Sequence, residues 1–452
     1  MNSRIKKAST LPEIFRSLTP STFLTQAERE FYIKIYDERV ALMRIDLLEN
    51  NLNPIQTIYV SGQTGSGKTT ALNFLANDAI NKVYQVEYLY GNDIFNLDDL
   101  DIVDVLLMVA YKLVGDDPEL KSKFEERLER MRKQLEGELK TESEIQKGHQ
   151  TNAGAKGELS FGENPILKFL SIFQIKGGFF ADYKFNYDKR QIVREVLTPR
   201  RDDLLKLLNE LIEGYRAKNK DKQVLLIFHE LNHMQNPDAI EKLFVTDRYY
   251  LEGIRAKKVV TIPVALVPIT EFNQEVYVLG LKLNPNPLRA SDQPEQTDKE
   301  KDAIQRNSNF LWDVFKSRMT EKALALVSEE AVEYAIHHSG GNIRQFISIL
   351  YYALRRVMAL EGSQVSLNDA EEGAIIERRK LERSMISDEK IRLLEYVRVN
   401  KTPRAAKDET FLSCALANQL FLYENDKIWY DVNPLIEETV KVYAERLGST
   451  SD

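Results

Sequence analysis

The residue types best suited to chemistry in this chain of 452 residues cluster in one stretch, Gly62-Gln63-Thr64-Gly65-Ser66-Gly67-Lys68-Thr69. It fits the pattern G-x-x-x-x-G-K-[ST] without a departure. Glycines let the backbone curl so that successive N–H groups face one point, and such a ring of donors suits phosphate oxygens. Lys68 would reach the β- and γ-phosphates of a nucleotide, and the Thr69 hydroxyl would ligate Mg²⁺, with Thr70 following in the same turn. The pattern requires a strand before it and a helix after it. Ile55 to Val60 is a short β-rich run, and Thr70 to Leu75 opens a helical pattern. Motif and context together point to a nucleoside triphosphate, ATP with Mg²⁺.

An acid and two sensing groups are candidates for the rest of such a site. Val224 to Phe228 is an apolar run followed by His229 and Glu230, which reads as a buried parallel strand beside the strand of the glycine loop. In ATPases with this loop, that strand usually ends in an Asp that holds the Mg²⁺ shell and a Glu that polarises the attacking water. Here His229 takes the metal place and Glu230 the catalytic one. A neutral imidazole is a poor partner for hydrated Mg²⁺, so binding through Thr69 and the loop with slow hydrolysis is expected. A strand over Val259 to Thr270 ends in Thr270, placed either to sense the γ-phosphate or to serve as an ordinary turn residue. In Ser339-Gly340-Gly341-Asn342-Ile343-Arg344 the glycines stop a helix and Asn342 caps the next. Arg344 would then project a fixed cation toward the nucleotide; the local alternative is an exposed arginine in an ordinary cap.

The elements around these residues follow from periodicity and breakers. Residues 1–25 read as a polar arm over the core or against a partner. A capping box of Thr25 and Glu28 starts a helix running to about Asn50. Val83 to Tyr90 reads as a strand, Asp98 to Leu113 as a buried helix, and Pro118 to Lys140 as a charged, one-sided helix. Residues 148–188 are punctuated by glycine and aromatics, as in a β-hairpin or mobile insertion. With Lys168, Lys176, Lys184 and Lys189 these aromatics suit either single-stranded nucleic acid or packing on a neighbour. Helices are expected over Asp202–Arg216 and Ala239–Glu252, and a strand over Glu275–Leu283. Proline-rich residues 284–307 form a linker, and helices follow from Asn309.

Residues 388–446 stand apart as a unit. Helices at Glu389–Val399 and Thr410–Leu420 enclose a basic loop with Arg404 and Lys407. Two strands then flank Asn425-Asp426, and Pro434 starts a last helix. Helices followed by a hairpin suggest a winged helix, for which DNA and protein contact are equally open.

Composition narrows the classes. The net charge of −7 supplies no global basic field, so any DNA contact must be local. The single cysteine, Cys414, excludes an internal disulfide and a Cys-rich metal site, and reads as a small core residue. No apolar run reaches the ~18 residues of a membrane span, and the first residues carry no signal-peptide core. A cytoplasmic protein without membrane contact is expected.

Taken as a set over roughly residues 50–445, these motifs resemble the AAA+ superfamily. They are most similar to its origin-recognition and STAND-like branch, which includes bacterial ATPases of mobile elements and defence islands. The resemblance implies an α/β fold, a P-loop NTPase core with a parallel sheet (53–290, after an N-terminal arm and helix, 1–52). The charged helix and glycine/aromatic insertion (about 118–190) would interrupt that core. A helical lid (300–376) and a winged-helix domain (385–447) would follow. It implies Lys68 and Thr69 on phosphates and metal, Glu230 for water activation, Thr270 as first sensor and Arg344 as second. It also implies a homo-oligomer with an arginine reaching across the subunit interface, for which Arg248 and Arg318 are unranked candidates. Two functions compete: an ATPase whose oligomer is remade by ATP binding and hydrolysis on DNA or a partner, and a poorly hydrolysing, ATP-loaded scaffold that holds an effector protein.

Overall fold

The computed structural model describes residues 5–20, 23–49, 55–115, 117–124, 126–127, 130, 133, 186–267, 276–281, 283, 298–385, 387–402, 409–425 and 427–449. Apolar, β-branched runs form a parallel sheet of β1 (Thr57–Ser61), β2 (Tyr84–Tyr90), β3 (Gln223–His229), β4 (Lys257–Thr261) and β5 (Val276–Val278). Its spatial order is β2-β3-β4-β1-β5, with every pairing parallel. The expectation that β3 lies beside β1 is therefore corrected: β4 is inserted between them. β1, β3 and β4 are all apolar and almost wholly buried, so nothing in their composition ranks them.

Alternation along the strands separates two cores. Tyr59, Leu226, Phe228 and Val260 face the helices Ile102–Val114, Tyr187–Leu197 and Arg201–Lys218. Ile58, Val60, Leu225, Ile227 and Val259 face the helix Lys68–Asn73, the helix Asp37–Glu49 and the helices that follow the sheet. The result is a three-layer α/β/α arrangement. Helix Ile102–Val114 is predominantly apolar and buried at every position except Tyr111 and Lys112. Its capping box joins Asp101 and Asp104, and Asp104 also pairs with the buried Arg194. That pair and Arg190–Asp99 (3.0 Å) fasten the helix Tyr187–Leu197 to the layer. Lys189 belongs to this helix; the hairpin expected over 148–188 and the three other lysines fall outside the described residues.

Several expected elements are shorter or broken. The Thr25–Glu28 capping box is present, but it caps a 3₁₀ turn, Gln26–Phe31, and the α-helix begins again at Asp37. The break leaves Tyr32 extended and stacked on Phe74 (centroids 4.0 Å apart), while Tyr36 is buried near the glycine loop. The helix expected over Ala239–Glu252 is interrupted by a π-helical turn, Lys242–Thr246. β4 ends at Thr261, where Pro263 opens a 3₁₀ turn, so Thr270 is not at its end and lies outside the described residues. The strand expected over Glu275–Leu283 contracts to Val276–Val278.

Beyond the sheet, helices Asp298–Lys316, Glu329–His338, Ile343–Ala359 and Leu367–Glu382 form a lid layer. The chain then forms helices Asp388–Asn400 and Glu409–Leu416, the antiparallel hairpin of β6 (Leu420–Asn425) and β7 (Lys427–Val432), and helix Glu437–Ser449. β6 extends through Asn425, which pairs with Lys427, and Asp426 lies outside the described residues. The last helix starts at Glu437, three residues after Pro434. Cys414 is buried in the core of this unit, which shares Val264, Ala265 and Val278 with the sheet layer. Arg404 and Lys407 lie outside the described residues. Among the described residues no helix is long and apolar enough to cross a membrane.

Candidate functional site

The glycine loop leaves the C-terminal end of β1, where parallel sheets commonly place ligands. It borders a cleft of about 630 Å³ between the sheet and the lid helices. Gly65 has φ +96°, and a Cβ there would stand 2.5 Å from Asn342 Oδ1 and 2.6 Å from Arg344 Cβ. Glycine is thus required twice at this position, for its backbone angle and for the approach of the lid.

The lid turn sits directly on the loop. Asn342 caps helix Ile343–Ala359 through Gln345 N–H (3.1 Å), while its side-chain amide donates to Thr64 O at 2.8 Å. The Arg344 N–H donates to Gly65 O at 3.0 Å. Gly341, at φ +86°, makes the turn possible, since a Cβ there would lie 1.9 Å from Leu281 O. The Tyr36 hydroxyl donates to Ser66 O at 2.8 Å. Thus the carbonyls of Thr64, Gly65 and Ser66 are all taken up by protein.

Lys68, Thr69, Glu230, His233 and Arg344 all line the cleft. The Lys68 ammonium donates to Gly62 O (2.7 Å) and Gln63 O (2.8 Å). Burial, with the Arg344 cation nearby, pushes Lys68 down to about 7. Burial also lowers Arg344, and the opposing influence is the Glu230 carboxylate. Burial and the two cations push His233 down to about 4, so it is neutral near pH 7. Sequence reasoning missed His233; its only signal is a place three residues past Glu230. Glu230 has φ 68°, unusual for a side chain with a Cβ. Its carboxylate accepts from Asn92 N–H, just past the end of β2, at 3.1 Å.

The other site candidates are distributed differently. Gly62, Gln63 and Ser66 are buried in the loop, whereas Thr64, Gly65, Gly67, Thr69 and Thr70 border the cleft. The Thr70 hydroxyl accepts from Leu24 N–H at 3.1 Å and so anchors the N-terminal segment. His229 is fully buried, stacked on Tyr90 with centroids 4.7 Å apart, and is not among the residues that line the cleft. Among the described residues neither ring nitrogen has a hydrogen-bond partner, and burial pushes the imidazole down to about 3. The placement of His229 as a metal ligand is therefore corrected: it is packed beneath the site. Arg318 is 5% exposed and lines the cleft of its own chain, which removes it as a group reaching across to a second subunit. Arg248 pairs with Glu252 at 3.6 Å.

The donor set fits a nucleotide and, through oxygen ligands, its Mg²⁺. A carboxylate-rich metal cage is another matter: among the described residues no group of three or more His, Cys, Asp or Glu could hold a metal ion. Mg²⁺ does not need such a cage, because it keeps several waters and takes phosphate oxygens with one or two protein ligands. Thr69, on the cleft, offers one such ligand.

No protein-family profile matches the chain, and no curated protein matches it. Among solved structures it is similar to a Walker-type ATPase of Pyrococcus abyssi, at TM-score 0.44 and 11% identity over 94% of this chain and 99% of that one. It is similar to the ORC2 protein of Aeropyrum pernix, at TM-score 0.41 and 12% identity over 94% and 99%. A third is Cdc6p of Pyrobaculum aerophilum, at TM-score 0.39 and 13% identity over 95% and 97%.

Proposed function

We propose that the protein is an ATP-binding, AAA+-like ATPase that acts as a nucleotide-dependent switch, with the helical lid closing the site over the phosphates. The observation that supports it best is that Lys68 from the loop, Glu230 from the end of β3 and Arg344 from the lid border a single cleft. They come from three distant segments, and the charges suit a polyphosphate held by two cations with one base nearby.

In this reading Lys68 releases the loop carbonyls and turns to the β- and γ-phosphates, while the loop N–H groups hold the phosphate oxygens. The Thr69 hydroxyl would hold Mg²⁺, which would offset the phosphate charge. Glu230 orients the attacking water and accepts its proton, and Arg344 stabilises charge on the transferred phosphoryl group. The lid senses the nucleotide because Arg344 reads the phosphates by its side chain and the loop by its backbone.

A slowly hydrolysing, nucleotide-loaded scaffold is the second reading, and His229 favours it. A buried neutral imidazole in place of an Asp contributes no charge to the metal shell. Whether the output is DNA, an effector protein or a homo-oligomer is decided by the same experiment. ATP turnover and oligomeric state are measured with and without duplex DNA, against Lys68→Ala. Turnover that depends on Lys68 and rises with DNA supports the DNA-acting switch. ATP binding with turnover at the Lys68→Ala level in both conditions transfers the assignment to the scaffold. No ATP binding refutes both.

A further inference from the structure

Arg318 is a buried cation of the cleft that the phosphate chemistry leaves unused. It follows helix Asp298–Lys316, is 5% exposed, and lines the cleft. One guanidinium nitrogen, Nη1, donates to Val314 O at 2.5 Å. Burial alone pushes the group down to about 10, and no charged neighbour contributes. The Arg344 cation helps lower Lys68, and the Glu230 carboxylate opposes the lowering of Arg344; neither influence reaches Arg318. Val314 and Phe310, one and two turns earlier in the chain, line the same cleft with apolar side chains, as do Ile343 and Ile347 from the lid.

The cleft therefore offers a phosphate cradle, apolar walls and a desolvated, donor-only group. A nucleotide presents the matching features as phosphates, a flat base and acceptor atoms on the base edge. Guanidinium has five N–H donors and no acceptor, so it selects an acceptor edge and rejects an amino group aimed at it. A buried cation whose donors find no carboxylate is costly unless a ligand satisfies them.

We propose that Arg318 reads the nucleobase, donating to a ring-nitrogen or carbonyl acceptor of the nucleotide whose phosphates occupy the glycine loop. This rests on the nucleotide-binding reading above and adds to it a base-recognising residue.

The test uses the full chain and three probes: ATP, GTP and inorganic tripolyphosphate, which carries the phosphates without a base. Affinities are measured for the unaltered protein, Arg318→Met, Arg318→Lys and Lys68→Ala. Arg318→Met is expected to weaken at least one of the two nucleotides by about tenfold or more, the loss typical of a charge-assisted hydrogen bond, with tripolyphosphate unchanged. Arg318→Lys keeps the charge but not the fork, and should lose part of the same affinity if the methionine variant does not fold. Equal weakening of all three probes, or no change in either nucleotide, overturns the proposal. Failure of Lys68→Ala to weaken any probe instead refutes the phosphate assignment of the loop.

Discussion

The side-chain amide of Gln63 donates to the main-chain carbonyl of Leu422 across 2.6 Å. This ties the phosphate loop to β6, 359 residues further along the chain. Neighbouring contacts extend the tie: Asn418 Nδ2 approaches Thr64 O at 3.5 Å, and the Tyr423 hydroxyl donates to Gly340 O in the lid turn at 2.8 Å. The C-terminal hairpin thus touches both halves of the closure that a nucleotide would drive. Movement of the loop on binding must be felt at β6, because interfaces of this kind have few alternative packings.

Gln63→Ala should remove that tie and leave Leu422 O buried without a donor. The expected cost is about 1–3 kcal/mol of stability. Hydrogen exchange should show faster exchange in β6 and β7 than in the unaltered protein, and ATP should no longer slow or speed it. Unchanged exchange in the hairpin, with its ATP response intact, would show that the loop and hairpin are not coupled through this bond.

Glu230→Gln keeps the shape of the side chain and its acceptor for Asn92 N–H but removes the base. Turnover should fall by about 10²- to 10⁴-fold, the usual range for a lost general base. Nucleotide affinity should stay within about threefold, since the phosphates are held by the loop and the two cations. Equal loss of affinity and turnover would place Glu230 in binding rather than in proton transfer.

Acid should destabilise the protein through His229. Its folded value of about 3 lies below the ordinary 6.5, so between those values the unfolded chain binds the extra proton. The stability this contributes is complete above 6.5 and is lost as pH falls toward 3. His229→Phe keeps the stack on Tyr90 and removes the titration. Denaturant melts at pH 6.5 and 5 should then differ less in the variant, by roughly 1.4 kcal/mol per pH unit once His is fully titrating in the unfolded chain. An identical pH slope in both proteins would mean that His229 is protonated in the fold.

Some of this architecture is written locally. The glycine loop, the strand before it and the helix after it follow from residues 55–75 alone. The Thr25–Glu28 box and the Asn342 cap also satisfy backbone groups within a few residues, and local chemistry is what a single sequence displays. Strand existence at β2, β3 and β4 was legible for the same reason: β-branched and aromatic runs bounded by breakers.

Other features depend on contacts between segments far apart in the chain, and only the tertiary structure decided them. The order β2-β3-β4-β1-β5 could not be read from strands that are all equally apolar. The break before Asp37 accompanies Tyr36 reaching Ser66 O, and its capping box looks the same for a 3₁₀ turn as for a long helix. Arg318 and His229 carry no sign in sequence of being buried: one sits on the cleft without an acid, the other is sealed against Tyr90. Residues 62–69 name the ligand class through backbone geometry encoded in their own glycines. Which side chains surround that ligand was fixed by packing the lid on the loop, because convergence of distant groups is a property of the closed fold and not of any segment.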